Sequence, residues 1–212
     1  MARGSASKRR RDGRGEAEAK GRILEAAFAA FTKNGFAATS MLEIATGARV
    51  SKREIYSLVG SKEQMLIACI TERAHRLPVP ADLPPARDRE MLAQVLARFG
   101  AQLLREVTDP TVVAVFRLAI AEAIHAPEVA RTLDSIGREA SGAALRRIMA
   151  QAGESGLLSG RPVELAEQFS GLLWGSLLVG LLLGVAGRPD LRDITARAQS
   201  ASEAFLRLHP VE

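Results

Sequence analysis

The 212-residue chain is predicted to be all-α, and three observations predict it. Aromatic residues make up only 4% of it, and no run alternates in the way a half-buried strand requires. Apolar residues return instead at helical spacing, as in Ile23, Ala27, Ala30 and Phe31, and again in Leu92, Val95, Leu96, Phe99 and Leu103. Hydrophobic residues reach 47%, which supplies a sizeable core and excludes a disordered chain.

Taken in order, residues 1–17 read as a flexible basic arm, since they hold Lys8, Arg9, Arg10, Arg11 and Arg14 and lack the apolar run of a secretory signal. The first amphipathic helix follows and is closed by Asn34-Gly35. Three serines then stand three residues ahead of a Glu or Gln: Ser40 to Glu43, Ser51 to Glu54 and Ser61 to Gln64. Each pair has the form of a capping box, in which the serine hydroxyl accepts from the third residue's N–H and that residue's side chain reaches back. Their spacing dictates two short helices, about 41–48 and 52–58, and the start of a longer linker helix from Ser61 to Arg76. Between the short pair, Ala48, Arg49 and Val50 form a tight turn, with Val50 dropping toward Ile44, Ala45 and Ile55. That is helix-turn-helix geometry.

Pro78, Pro80, Pro84 and Pro85 then separate an N-terminal module, residues 18–76, from a larger helical domain, residues 77–212. Within that domain Asp109-Pro110 and Ala126-Pro127-Glu128 open helices, and Gly153 to Pro162 is a turn-rich connection. The last two helices are expected over Val163 to Val185 and Pro189 to Leu208, making roughly nine in all. Phe169 to Gly187 runs for 19 residues without a charge, which admits a membrane span as a competing reading. Its five glycines and its lack of flanking basic clusters favour a helix covered by its own domain on one side and a partner subunit on the other.

Charge is one-sided. Residues 1–75 carry 14 Lys and Arg against 8 Asp and Glu, whereas residues 76–212 carry 15 against 16. A basic excess confined to the module with the helix-turn-helix points to a polyanionic partner, double-stranded DNA. On the second short helix the outward residues are Lys52, Arg53, Tyr56 and Ser57, all hydrogen-bond donors, while Ile55, Leu58 and Val59 are left to pack. Read alone, such a helix is more often a capped corner with a solvated charged face; the basic arm beside it reverses the preference in favour of DNA. The single cysteine, Cys69, makes neither an intramolecular disulfide nor a thiolate cluster, so the cytoplasm is the expected compartment. The chain lacks G-x-S-x-G, a P-loop, H-E-x-x-H and paired cysteines, and its three histidines are scattered, so neither an enzyme nor a metal or cofactor is expected.

The runs Thr39-Ser40-Met41-Leu42-Glu43-Ile44-Ala45, Val50-Ser51-Lys52-Arg53-Glu54-Ile55-Tyr56 and Gly60-Ser61-Lys62-Glu63, in that order, resemble the DNA-binding domain of TetR-family transcriptional regulators over about residues 18–68. The resemblance implies that Ser51, Lys52, Arg53 and Ser57 face the major groove, while Thr39, Tyr56 and Lys62 hold phosphates. Ser40 belongs to the same surface. Arg49 stands where the family usually has glycine, at a turn position that often takes positive φ; a strained turn and an added phosphate contact are expected there. Leu58-Val59 replaces the usual aromatic pair, which implies looser packing at that end.

The resemblance further implies a homodimer built on the last two helices and a small-molecule effector held among the middle ones. Leu172, Leu173, Ser176, Leu177 and Gly180, with Ala198, Ala201 and Phe205, form the expected dimer seam; an ordinary core helix is the alternative. Phe99, Phe116, His125 and Trp174 are the candidate lining of an apolar effector pocket. The expected function is that of a repressor released from a palindromic operator.

Overall fold

The computed structural model describes residues 3–75, 85–124 and 127–211, without the side chains of 3–14, 74, 75, 129 and 136–140. It is all-helical, with ten helices among the described residues: α1 (Arg3–Asn34), α2 (Met41–Ala48), α3 (Lys52–Leu58), α4 (Lys62–His75), α5 (Arg89–Val107), α6 (Pro110–Glu122), α7 (Pro127–Glu154), α8 (Pro162–Trp174), α9 (Leu177–Leu183) and α10 (Leu191–Leu208). From Arg3 onward the stretch expected as an arm belongs to α1. No proline interrupts it, and Gly4, Gly13 and Gly15 cost a helix only about 1 kcal/mol each. The chain forms two compact units, the first from the described residues of Met1–Arg73 and Arg117–Leu133, the second from those of Ala74–Phe116 and Asp134–Glu212. The described residues of 117–133, a stretch that the proline boundary assigns to the second domain, cluster with the first unit.

The first unit packs α2 and α3 against α1. Ile23, Ala27 and Phe31 of α1, Ile44 of α2, Ile55 of α3 and Met65, Leu66 and Ile70 of α4 are all fully buried, shielded from water. Gly47 lets α2 approach α1 closely, because a β-carbon there would stand 3.3 Å from the Ala26 side chain. Along α4, Cys69 is fully buried and its thiol donates to the Leu24 carbonyl at 3.3 Å. Burial pushes that thiol up to about 12, so it is an inert packing group. One turn later Arg73 lies 3.6 Å over the Phe28 ring and pairs with Glu25 at 2.9 Å, fastening α4 to α1.

In the second unit α10 packs on α5 and α8. Leu92, Leu96, Phe99 and Leu104 of α5 meet Phe169 and Leu173 of α8 and Ala198 and Phe205 of α10 in one core. Arg89 ties the ends together, donating to the carbonyls of Leu157, Leu206 and His209 at 2.9, 2.6 and 2.9 Å. The helix expected over Val163 to Val185 is two helices, α8 and α9, bent by 55°. Gly175 breaks it with φ 45°, and Arg197 of α10 donates to the released carbonyls of Leu173 and Trp174 at 2.6 and 2.5 Å. A side chain at 175 would meet that guanidinium at 2.8 Å. Among the described residues no single helix is long and apolar enough to cross a membrane; the pair α8 and α9 is so only together, across the bend.

Candidate nucleic-acid interface

Serine chemistry builds this surface from the backbone outward. Ser51 caps α3 in a complete capping box: its hydroxyl accepts from the Glu54 N–H at 3.1 Å, and its own N–H donates to the Glu54 carboxylate at 3.0 Å. Those two donors from Ser51, backbone first and hydroxyl second, hold the Glu54 carboxyl below the usual range, with the Arg22 charge adding to them. Ser61 and Gln64 make the same reciprocal pair ahead of α4, at 2.8 and 3.2 Å. There the backbone N–H of Glu63 and the Ser61 hydroxyl lower the Glu63 carboxyl.

Ahead of α2 the box is half made. Ser40 accepts from the Glu43 N–H at 3.1 Å, but Glu43 turns its carboxylate to the Asn34 amide at 2.7 Å instead of reaching back. A side-chain donor at the end of α1 competes successfully with the cap's own backbone.

The α2–α3 turn has the shape that the sequence implies. Arg49 sits in the left-handed region at φ 57°, ψ 46°, and is alone among the described non-glycine residues in having positive φ. Its N–H donates to the carbonyls of Ala45 and Thr46, and its side chain is exposed. An L-residue pays about 1–2 kcal/mol to occupy this region. Arg49→Gly is therefore expected to raise the unfolding free energy by about 1 kcal/mol in urea denaturation, since glycine removes the strain while adding some unfolded-state entropy. A variant of equal or lower stability would show that the Arg49 side chain compensates its own strain.

From that turn α3 projects its donors into solvent. Lys52, Arg53, Tyr56 and Ser57 are all exposed, the phenol to 58%, while Ile55 is fully buried and holds the helix to the core. Leu58 and Val59 are half-buried. The side chain of Lys62 is already engaged: its ammonium donates to the Ala37 carbonyl at 3.2 Å and stands 4.5 Å over the Phe36 ring, leaving two N–H donors for an anion. Thr39 is not available as a phosphate ligand through its hydroxyl. It is 2% exposed and donates that hydroxyl to the Gly35 carbonyl at 2.8 Å, so it shapes the α1–α2 turn instead. Arg9, Arg10 and Arg11 lie on α1, with side chains outside the described residues.

The effector and dimer residues are redistributed. Phe99 is fully buried in the second core, Trp174 packs against that core, and Phe116 is half-buried; His125 lies outside the described residues. A recess beside Pro85, Leu92, Val95 and Ile148 holds about 10 Å³, room for one water. Leu173, Ala198, Ala201 and Phe205, expected in the dimer seam, are core residues of their own subunit, because α10 packs on α5 and α8 along that stripe. Leu172 and Ser176 are exposed, and Leu177 and Gly180 are half-buried. Not named singly from the sequence are the exposed apolar side chains Val179, Leu183 and Val185, within the uncharged run 169–187, and Leu191 beyond it.

Two segments of the chain each match a family profile. Residues 23–69 match that of bacterial regulatory proteins of the tetR family, and residues 94–209 match the C-terminal domain of AefR-like transcriptional repressors. No curated protein matches the chain by sequence. Among solved structures, a TetR transcriptional regulator from Agrobacterium tumefaciens is 28% identical, covers 91% of this chain and 95% of its own, and superposes with a TM-score of 0.72. The flavonoid-responsive regulator FrrA is 27% identical, covers 91% and 97%, and superposes at 0.76. A protein from Mesorhizobium loti assigned to the same family, 23% identical over 92% and 98%, shares the fold at 0.77. With a helix-turn-helix displaying basic donors and profile matches over residues 23–69 and 94–209, the chain belongs to the TetR family of bacterial transcriptional regulators.

Proposed function

We propose that this regulator is a cytoplasmic homodimeric repressor that reads a palindromic operator with α3 and leaves it when a small apolar molecule binds the second unit. The carrying observation is α3 itself, whose one fully buried residue is Ile55 and whose Lys52, Arg53, Tyr56 and Ser57 all point donors at solvent. Such donors suit base edges and phosphates, the first supplying sequence choice and the second register. One short helix reads too few base pairs to be selective, whereas a two-fold pair placed about 34 Å apart reaches successive major grooves. The exposed Leu172, Val179, Leu183, Val185 and Leu191 supply the apolar face for that second copy. The profile match to AefR-like repressors supports repression. Similarity to a flavonoid-responsive regulator makes flat, largely apolar small molecules the first effector class to try. A ligand that fits only one spacing of the two heads must change DNA affinity by the same coupling.

Selection of bound fragments from a random duplex library tests this reading. The expected result is one inverted repeat with half-site centres about ten base pairs, or a multiple, apart. Binding to that site should weaken by several orders of magnitude between about 50 and 200 mM salt, through counterion release. Recovery of unrelated sequences would make the protein a general DNA binder, and a flat salt dependence would remove phosphate contact altogether.

A further inference from the structure

The first unit holds a cation outside the helix-turn-helix that the sequence motifs do not single out. Arg22 of α1 is exposed, and its Nε donates to the carbonyl of Ala48, the last residue of α2, at 3.4 Å. That carbonyl immediately precedes Arg49, the residue in the left-handed turn, and α3 with Lys52 and Arg53 begins three residues further on. Arg22 lies near enough to that start for its charge to help hold the Glu54 carboxyl low. Lys62 has the counterpart arrangement at the other end of α2, with its ammonium on the carbonyl of Ala37, ahead of the Ser40 cap.

Each of these cations spends one donor on a backbone carbonyl and keeps the rest. A guanidinium has five N–H donors in a rigid fork, so Arg22 has four remaining after its bond to Ala48. Anchoring by the carbonyl fixes where the charge sits before any anion arrives, which lowers the ordering cost of a contact. On these grounds we propose that Arg22 is a DNA-backbone contact, a phosphate clamp supplied by α1 that brackets the α2–α3 turn from outside the reading helix. It rests on the DNA-binding reading above but not on any particular operator, because a phosphate contact is made to every sequence.

Arg22→Gln keeps an amide donor for the Ala48 carbonyl and removes the charge. With Arg22→Lys and Lys52→Ala beside it, binding is measured by fluorescence anisotropy on a mixed-sequence duplex and on a selected site, across a salt series, with a thermal melt of each variant. For Arg22→Gln the expected result is an unchanged melt, roughly five- to tenfold weaker binding to both duplexes near 0.1 M salt, and a log–log salt slope shallower by about 0.9 for each Arg22 that meets a phosphate. Arg22→Lys should restore the slope, whatever it does to the melt. Should Arg22→Gln leave affinity and slope untouched while Lys52→Ala loses the selected site, Arg22 is only a cap for α2 and the clamp is overturned. A slope that falls on mixed-sequence DNA although no site can be selected would keep the clamp and overturn the operator.

Discussion

Replacing Lys52 and Arg53 together with alanine is expected to abolish operator binding while leaving the helix content and the oligomeric state unchanged. Both side chains are exposed on α3, and the helix is held by Ile55 beneath it and by the Ser51–Glu54 box at its start, none of which the double variant touches. Each lost base or phosphate contact costs about 1–3 kcal/mol, and the proposed two-fold dimer would lose both contacts twice, so the affinity should fall by roughly 1,000-fold or more. Gel shift on the selected site, with circular dichroism as control, measures it. Undiminished binding by the double variant would mean that a different surface meets the DNA.

The second large effect separates the core of one subunit from the seam between two. Phe205 is fully buried, edge-on to Phe169 with ring centroids 5.7 Å apart, and was expected from sequence to lie in the dimer interface. Phe205→Ala should therefore leave a cavity and cost about 3–5 kcal/mol, lowering the melting temperature by on the order of 10 °C. Leu183 and Val185, by contrast, are 72% and 81% exposed in the single chain. If the proposed dimer forms through this face, the double variant Leu183→Ser, Val185→Ser should keep its helicity and elute at a smaller apparent mass than the unaltered protein at equal concentration. If Phe205→Ala melted normally but dissociated the dimer, α10 would face the partner instead of α5. If the serine variant stayed dimeric, the apolar face around α9 would have another use.

The two substitutions also mark where reading the sequence succeeded and where it did not. Capping serines, the Asn34-Gly35 stop and the donors of α3 were all legible, because each is decided by residues within about four positions of one another, while the positive φ at Arg49 was implied by the family resemblance. The same local rules misplaced two features, and the resemblance gave Thr39 a role that its hydroxyl does not have free in this fold. Glu43 was expected to complete its box, and Asn34, nine residues earlier, takes its carboxylate. Val163 to Val185 was expected as one helix, and Arg197, more than twenty residues away, donates to the carbonyls released at Gly175. Thr39 was expected at the DNA, and the fold of the α1–α2 turn consumes its hydroxyl.

By itself the sequence determined the helical class, the helix-turn-helix and the concentration of positive charge in its first third. Those properties follow from periodicity, caps and composition, and they are the same in whatever way the helices are later assembled. Tertiary structure alone decided which apolar stripe each helix keeps for its own core and which it leaves bare, so that Phe205 went inward and Leu183 outward. It also decided which carbonyl each long cation finds, as Arg22 finds that of Ala48. Burial and long-range pairing depend on how elements pack, and helical spacing says that a face is apolar without saying what will cover it.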